Sequence, residues 1–248
     1  MSVGSAVPDQ EFANPRLAKL YDLLGGERDD LAPYLVMIEE FEARSVLDFG
    51  CGTGTLFSLL SNNDLELIGV DPAQASLELA KTKPGANQVQ WILGGAKDLG
   101  GIRVDLIVMT GNVAQVFLED ADWLCTLKCL RQALVPGGYL VFETRNPGER
   151  AWAEWTREKT HKKVVLPNIG PVEYWNEVTD ISFPFVSFNW TFSFADDGAL
   201  LTSNSTLRFR GKDEIKKSLV ASGFELKHIR NAPDRPGQEW VFVATAVS

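Results

Sequence analysis

Histidine and cysteine are scarce in this chain. Its 248 residues include two histidines, His161 and His228, and three cysteines, Cys51, Cys125 and Cys129. None of these shares a metal-ligand spacing with another, so no metal site is expected, and so few thiols suit a reducing compartment. Long apolar runs are also missing. No stretch is long enough to cross a bilayer, and residues 1–10 show neither the basic nor the apolar segment of a secretory leader, so a cytoplasmic protein is expected. Bases are in deficit, with 24 Lys+Arg against 33 Asp+Glu and a net charge of −9. A field of that sign repels phosphate backbones and anionic lipid, which argues against nucleic acid and membrane as partners. Apolar residues, by contrast, make up 45% of the chain, enough for a full core in one large domain or in one domain with an insertion.

The most informative stretch is Val46-Leu47-Asp48-Phe49-Gly50-Cys51-Gly52-Thr53-Gly54. An apolar run reads as a buried strand, three alternating glycines as a turn, and Leu56, Phe57, Leu59 and Leu60 as the start of a helix. Glycine admits positive φ and close approach of a ligand to the backbone, and a helix start presents unpaired N–H groups, so the turn suits an anionic group. A tight structural turn is the simpler alternative. A second apolar run, Leu65 to Val70, ends in Asp71 and Pro72. An acid just past a second parallel strand lies beside the first strand's turn, where it can accept both hydroxyls of an adenosine ribose; it can equally cap the following helix. Further strands are expected at Val89–Leu93, Val104–Met109 and Tyr139–Thr144, with helices between them. Regular alternation of strand and helix specifies a doubly wound α/β sheet with its ligand at the strands' carboxyl ends.

These residues resemble the class I S-adenosylmethionine-dependent methyltransferases. The glycine stretch matches the family's first motif, Gly69-Val70-Asp71-Pro72 its ribose acid, and Leu134-Val135-Pro136-Gly137-Gly138-Tyr139 its turn into strand five. The resemblance implies a mostly parallel seven-stranded Rossmann-like sheet built from residues 44–145 and 211–248, preceded by N-terminal helices in residues 1–43. It implies S-adenosylmethionine as cofactor, held by Asp48, Gly50, Cys51, Gly52, Thr53, Gly54, Asp71, Pro72, Thr110 and Asn112. Where many members have Gly-Asp-Ala after strand three, this chain has Gly94-Gly95-Ala96, so the adenine contact implied at Gly95 and Ala96 falls to the backbone. Charge agrees with a sulfonium donor, because its ammonium suits Asp48 while the phosphates of a dinucleotide would be repelled there; Asp48 bracing the turn is the other reading. A nicotinamide oxidoreductase is further disfavoured because Phe57 stands where its fingerprint has the last glycine.

Residues 146–210 interrupt the alternation with an aromatic-rich insert. Phe188-Asn189-Trp190-Thr191-Phe192-Ser193-Phe194 alternates strictly, Asp196-Asp197-Gly198 reads as a hairpin turn into Leu200 to Arg210, and Val172–Thr179 reads as a third strand. The expectation is an antiparallel β cap with one aromatic face that must be covered: by the chain itself, as a lid over a substrate pocket, or in a homodimer interface. Its attachment after strand five favours a lid. Tyr21, Arg145, Asn146 and Trp175 are the candidates for holding a small-molecule methyl acceptor, with Tyr21 equally readable as a core aromatic. No general base is assigned, although Tyr21, Arg145, Asn146 and His161 are placed near the rim. A base-modifying nucleic-acid enzyme is disfavoured because Thr110-Gly111-Asn112-Val113 replaces the Asn/Asp-Pro-Pro-aromatic run of that type. A non-catalytic binding module remains the alternative to an enzyme.

Overall fold

The computed structural model describes residues 7–26, 28–60 and 64–247. In chain order the helices are α1 (Gln10–Ala13), α2 (Pro15–Gly25), α3 (Ala32–Glu40), α4 (Thr55–Leu59), α5 (Gln74–Ala80), α6 (Asp120–Ala133), α7 (Arg157–Thr160) and α8 (Lys212–Ala221). The strands are β1 (Ser45–Phe49), β2 (Glu66–Asp71), β3 (Val89–Leu93), β4 (Val104–Met109), β5 (Leu134–Arg145), β6 (Lys162–Leu166), β7 (Gly170–Ser182), β8 (Phe185–Phe194), β9 (Leu200–Arg208), β10 (Phe224–Asn231) and β11 (Glu239–Ala246).

One sheet has seven strands in the order β10-β11-β5-β4-β1-β2-β3, and only β11 runs antiparallel to its neighbours. Every residue of β1 is buried, as expected of a central parallel strand covered on both faces. Alternate residues feed two cores: Leu47 and Phe49 pack with Trp123, Phe142 and Phe242, whereas Val46 packs with Leu56, Leu67 and Val243. Strand order reverses between β1 and β4, which puts the crevice for a ligand beyond the end of β1. The helix α2 starts as its sequence dictates, with the Asn14 side chain accepting from the Arg16 N–H and Pro15 in the first turn. Around Pro136 the structure differs from expectation. Instead of breaking the chain, residues 135–138 bulge within β5, because the ladder to β4 pairs Val104 with Leu134 and then Leu106 with Tyr139.

The insert is a separate antiparallel sheet, β6-β7-β8-β9. Strand β6, which begins with Lys162 and Lys163, precedes the three strands expected in the insert. As an edge strand it keeps both lysines exposed. The aromatic face is covered by the chain itself. Leu17 and Leu20 of α2 pack on Tyr174, Phe192 and Phe194, and Trp152 with Phe209 packs on Val186 and Phe188. Burying this face therefore requires no second copy. Arg16 adds a guanidinium 3.4 Å above the Phe194 ring and an ion pair to Asp197.

Leu20 is fully buried in this contact whereas Val165 on β6 is 79% exposed. Leu20→Ala is expected to cost about 2–5 kcal/mol of unfolding free energy. Val165→Ala is expected to stay within about 0.5 kcal/mol. Urea unfolding of the two variants checks the contrast, and equal effects would mean that α2 is not docked on the insert.

Candidate active site

The turn after β1 is built on positive backbone angles at Gly50 (φ 82°), Gly52 (φ 52°) and Gly54 (φ 73°). The three glycines do different work. A Cβ on Gly50 would lie 2.6 Å from Val113, and one on Gly54 2.6 Å from Trp91, so both serve close packing. At Gly52 a Cβ would meet nothing within 4 Å, and this glycine faces a cavity. The sequence pattern assigned ligand approach to all three; Gly50 and Gly52 line the cavity, and of these Gly52 has open space where a Cβ would stand. The turn is anchored to β2 by the Gly50 and Cys51 N–H groups, which both donate to the Val70 carbonyl.

Asp71 reaches the turn directly. Its Oδ2 accepts from the Gly52 N–H at 2.8 Å and its Oδ1 from the Ala73 N–H at 2.8 Å, so facing the turn and ordering the approach to α5 are combined in one carboxylate. Burial raises its pKa against these two bonds. Asp48, 1% exposed, has an Oδ1 without a hydrogen-bond partner. Burial, and secondly the neighbouring Asp71, pushes its pKa up to about 7, with Arg28 opposing. Arg28 lines the same cavity, its Nε and Nη2 each donating at 2.8 Å to Asp30. Above the turn, Thr53 donates to Asp22 of α2, and Lys83 bridges Asp22 (2.8 Å), Thr55 (2.9 Å) and Thr53 (3.2 Å).

The cavity has a volume of about 650 Å³, within the range of small-molecule sites. One part of its wall is Asp48, Gly52, Asp71, Pro72, Thr110 and Gly111 at the carboxyl ends of β1, β2 and β4. Other parts of the wall come from the N-terminal stretch (Asp9, Phe12, Tyr21), from Val116 and Leu118, and from the inserted sheet (Thr179, Ser187, Phe188, Asn204, Ser205, Thr206). The sheet thus contributes a row of hydroxyl and amide groups to the wall.

Of the residues singled out in the sequence, Asp48, Gly50, Cys51, Gly52, Thr53, Asp71, Pro72, Thr110 and Tyr21 line this one cavity. The others lie outside its lining, each for a visible reason. Gly54 packs against Trp91. Gly95 donates to Asp98 Oδ2, which closes the turn after β3, and Ala96 is part of the core. Asn112 is buried with its Nδ2 on Glu239. Arg145 is held by Gln115 and Glu239 and lies 5.4 Å from the Trp155 ring. Asn146 accepts from the Gly148 N–H and donates to the Gly237 carbonyl, so it is a turn residue. Trp175 turns to Arg157 and Glu177, and His161 pairs with Glu173. Sequence reasoning missed Asp9, Arg28 and the hydroxyl row. A signal for the row was present in the polar residues alternating with the aromatics, whereas Arg28, in a connection between helices, carried none. Among the described residues no cluster of side chains could hold a metal ion, and no helix is long and apolar enough to cross a membrane.

Comparison with known proteins supports the reading of the turn. Residues 46–138 match the family model described as a methyltransferase domain. A cypemycin N-terminal methyltransferase from Streptomyces sp is 28% identical over 109 residues, 44% of this chain and 44% of that protein, so the aligned part is less than half of that relative. The structure of the CcbJ methyltransferase from Streptomyces caelestis superposes with a TM-score of 0.78 at 21% identity, covering 97% of this chain and all of the other. The sugar N-methyltransferase KedS8 from Streptoalloteichus sp ATCC 53650 gives 0.78 at 20%, covering 100% and 99%. Motif order, strand order and family match agree that residues 46–138 form a methyltransferase domain.

Proposed function

We propose that the protein transfers a methyl group from S-adenosylmethionine to a small-molecule acceptor held between the carboxyl end of the parallel sheet and the inserted sheet. The observation that carries this reading is the buried, unpartnered Oδ1 of Asp48 in the wall of a cavity that also contains Gly52 and Asp71. An ionised carboxylate left without a partner is costly, and a cationic ligand removes the cost. The residues present fit the cofactor. Asp71 has the position to take the ribose hydroxyls, Gly52 leaves its backbone open to close approach, and Asp48 with Arg28 offers complementary charges to an ammonium and a carboxylate. Gly95 and Ala96, outside the lining, have no assigned part.

When bound, the cofactor supplies a methyl group on sulfonium sulfur, a good leaving group for in-line displacement. The protein's share is positioning and exclusion of water. Residues 44–145 and 211–248 hold the donor, and the insert 146–210 with the N-terminal helices supplies the acceptor's wall. The substrates of structurally similar proteins fit this division, since KedS8 is a sugar N-methyltransferase and CalS10 from Micromonospora echinaspora an amino pentose methyltransferase. The three free thiols suit action in the cytoplasm.

Asp71→Ala is expected to weaken binding of S-adenosylmethionine or its demethylated product by about 10- to 100-fold, the equivalent of lost hydrogen bonds to a charged group. Isothermal titration with circular dichroism as a folding control measures this; undiminished affinity would remove the ribose role. Asp48 gives a second prediction. Its pKa of about 7 in the free protein falls when an ammonium binds beside it, so the complex holds fewer protons than the free form below pH 7. Affinity is therefore expected to be flat above pH 7 and to fall by up to about tenfold per pH unit below it. Asp48→Asn abolishes that slope if the assignment is right; a slope unchanged in the variant assigns it to another group.

A further inference from the structure

One carboxylate in the cavity wall is left over once the donor's residues are set aside. Asp9 immediately precedes α1, where a side chain ordinarily caps the first N–H groups, yet it makes no cap bond. Its Oδ2 instead accepts from Ser205 Oγ at 2.6 Å, on the edge strand of the insert. Two residues later the Glu11 N–H is fixed by Ser203 Oγ at 2.9 Å, so the stretch carrying both acids is docked on β9. Neither acid forms an ion pair with a described residue: among the described residues lining the cavity the cation is Arg28, which Asp30 already holds. Burial raises the pKa of Asp9, and burial with the charge of Asp9 pushes Glu11 up to about 7. Asp9 is the one of the two in the cavity wall, with Glu11 behind it adding charge of the same sign, and a partly desolvated carboxylate there is favoured when a ligand brings the counter-charge. Around Asp9 the wall offers hydroxyls from Ser205 and Thr206, the amide of Asn204 and the ring faces of Phe12 and Phe188.

We infer that the acceptor is a hydroxylated amine, recognised as its ammonium form by the Asp9 carboxylate, with the Ser205, Thr206 and Asn204 side chains meeting its hydroxyl groups. This rests on the donor reading of the glycine turn. The nitrogen is the atom methylated: it gives up one proton, its lone pair forms the new C–N bond, and the electrons of the broken C–S bond stay on sulfur. Asp9 is a place for the proton to go, and its raised pKa makes it a better acceptor than an exposed aspartate. An alcohol acceptor would need a far stronger base, and an acidic acceptor would face Asp9 with like charge.

The test uses the full chain saturated with S-adenosylhomocysteine and three probes of one shape: trans-4-aminocyclohexanol, 1,4-cyclohexanediol and 4-hydroxycyclohexanecarboxylate. The amine is expected to bind about tenfold or more tighter than the diol, with the acid weakest, a difference of the size a desolvated charge pair produces. Asp9→Asn, which keeps an acceptor for Ser205 but loses the charge, is expected to erase the preference for the amine without changing affinity for S-adenosylhomocysteine. Ser205→Ala, which removes the tether but keeps the charge, is expected to preserve that preference. A diol or acid that binds as tightly as the amine, an amine that does not bind, or a preference that survives in Asp9→Asn overturns the assignment. Failure of S-adenosylhomocysteine to bind the unmodified protein would instead remove the donor reading, and the acceptor assignment with it.

Discussion

The hydrogen bond from the Gly52 N–H to Asp71 joins the carboxyl ends of β1 and β2 across the mouth of the sheet. The rest of the site follows from it. Parallel pairing of Phe49 with Val70 sets the two strand ends level, so that Asp71, one position past Val70, lies beside the turn, whose third residue is Gly52. A turn with a side chain in place of Gly52 would fill the space the carboxylate overlooks. The bond therefore fixes the turn's shape before any ligand arrives, and pre-organisation of this kind lowers the entropy a ligand must surrender. It also leaves Asp71 with unused lone pairs, so holding the turn and accepting from a ligand do not compete.

Acids collect at this end of the sheet, and their partners separate structural from ligand-facing ones. Glu143 on β5 accepts from Tyr34 Oη and from the Gly111 N–H, each at 2.8 Å, and is fully buried without facing the cavity. Glu239 on β11 is met by Arg235, Arg145 and Asn112. Those two tie β5, β11 and the loop after β4 together. Glu239 Oε2 and Asp48 Oδ1 both lack a hydrogen-bond partner, but Glu239 has two arginines beside it, whereas neither Asp48 nor Asp9 forms an ion pair with a described residue. Burial alone would have marked all these acids as equally unusual. It is the absence of compensation at two of them that points to a ligand, because an isolated buried charge is disfavoured far more than a paired one.

The sequence carried the parallel sheet almost completely, because glycine spacing, the apolar strands and the acid after β2 are local signals with a fixed geometric meaning. Asp48, Gly52 and Asp71 were legible for the same reason. Arg145, Asn146 and Trp175, the other acceptor candidates, lie outside the cavity lining for tertiary reasons. Arg145 and Asn146 satisfy the crossing from β5 into the turn beside β11, and Trp175 lies on the opposite side of its strand from the alternation that includes Tyr174. Asp9 and Arg28 were invisible because their position depends on where the N-terminal stretch docks. That docking is decided by Leu17 and Leu20 against aromatics more than 150 residues away. Helical periodicity shows that these leucines are buried, not what buries them.

Magnitudes decide what holds that N-terminal stretch in place. The Asp22–Lys83 pair and the Arg16–Asp197 pair are both partly exposed, and such pairs contribute about 0–1 kcal/mol each. Leu17 and Leu20, 1% and 0% exposed, contribute about 1.5–3 kcal/mol apiece on burial. The apolar contact therefore supplies the affinity of α2 for the insert. The polar contacts set its register, bringing Asp22 onto Thr53 of the glycine turn and Asp9 onto Ser205. One short helix is thereby fixed at once to the glycine turn and to the inserted sheet, the two sides of the cavity. A change in how it docks therefore alters both halves of the cavity together.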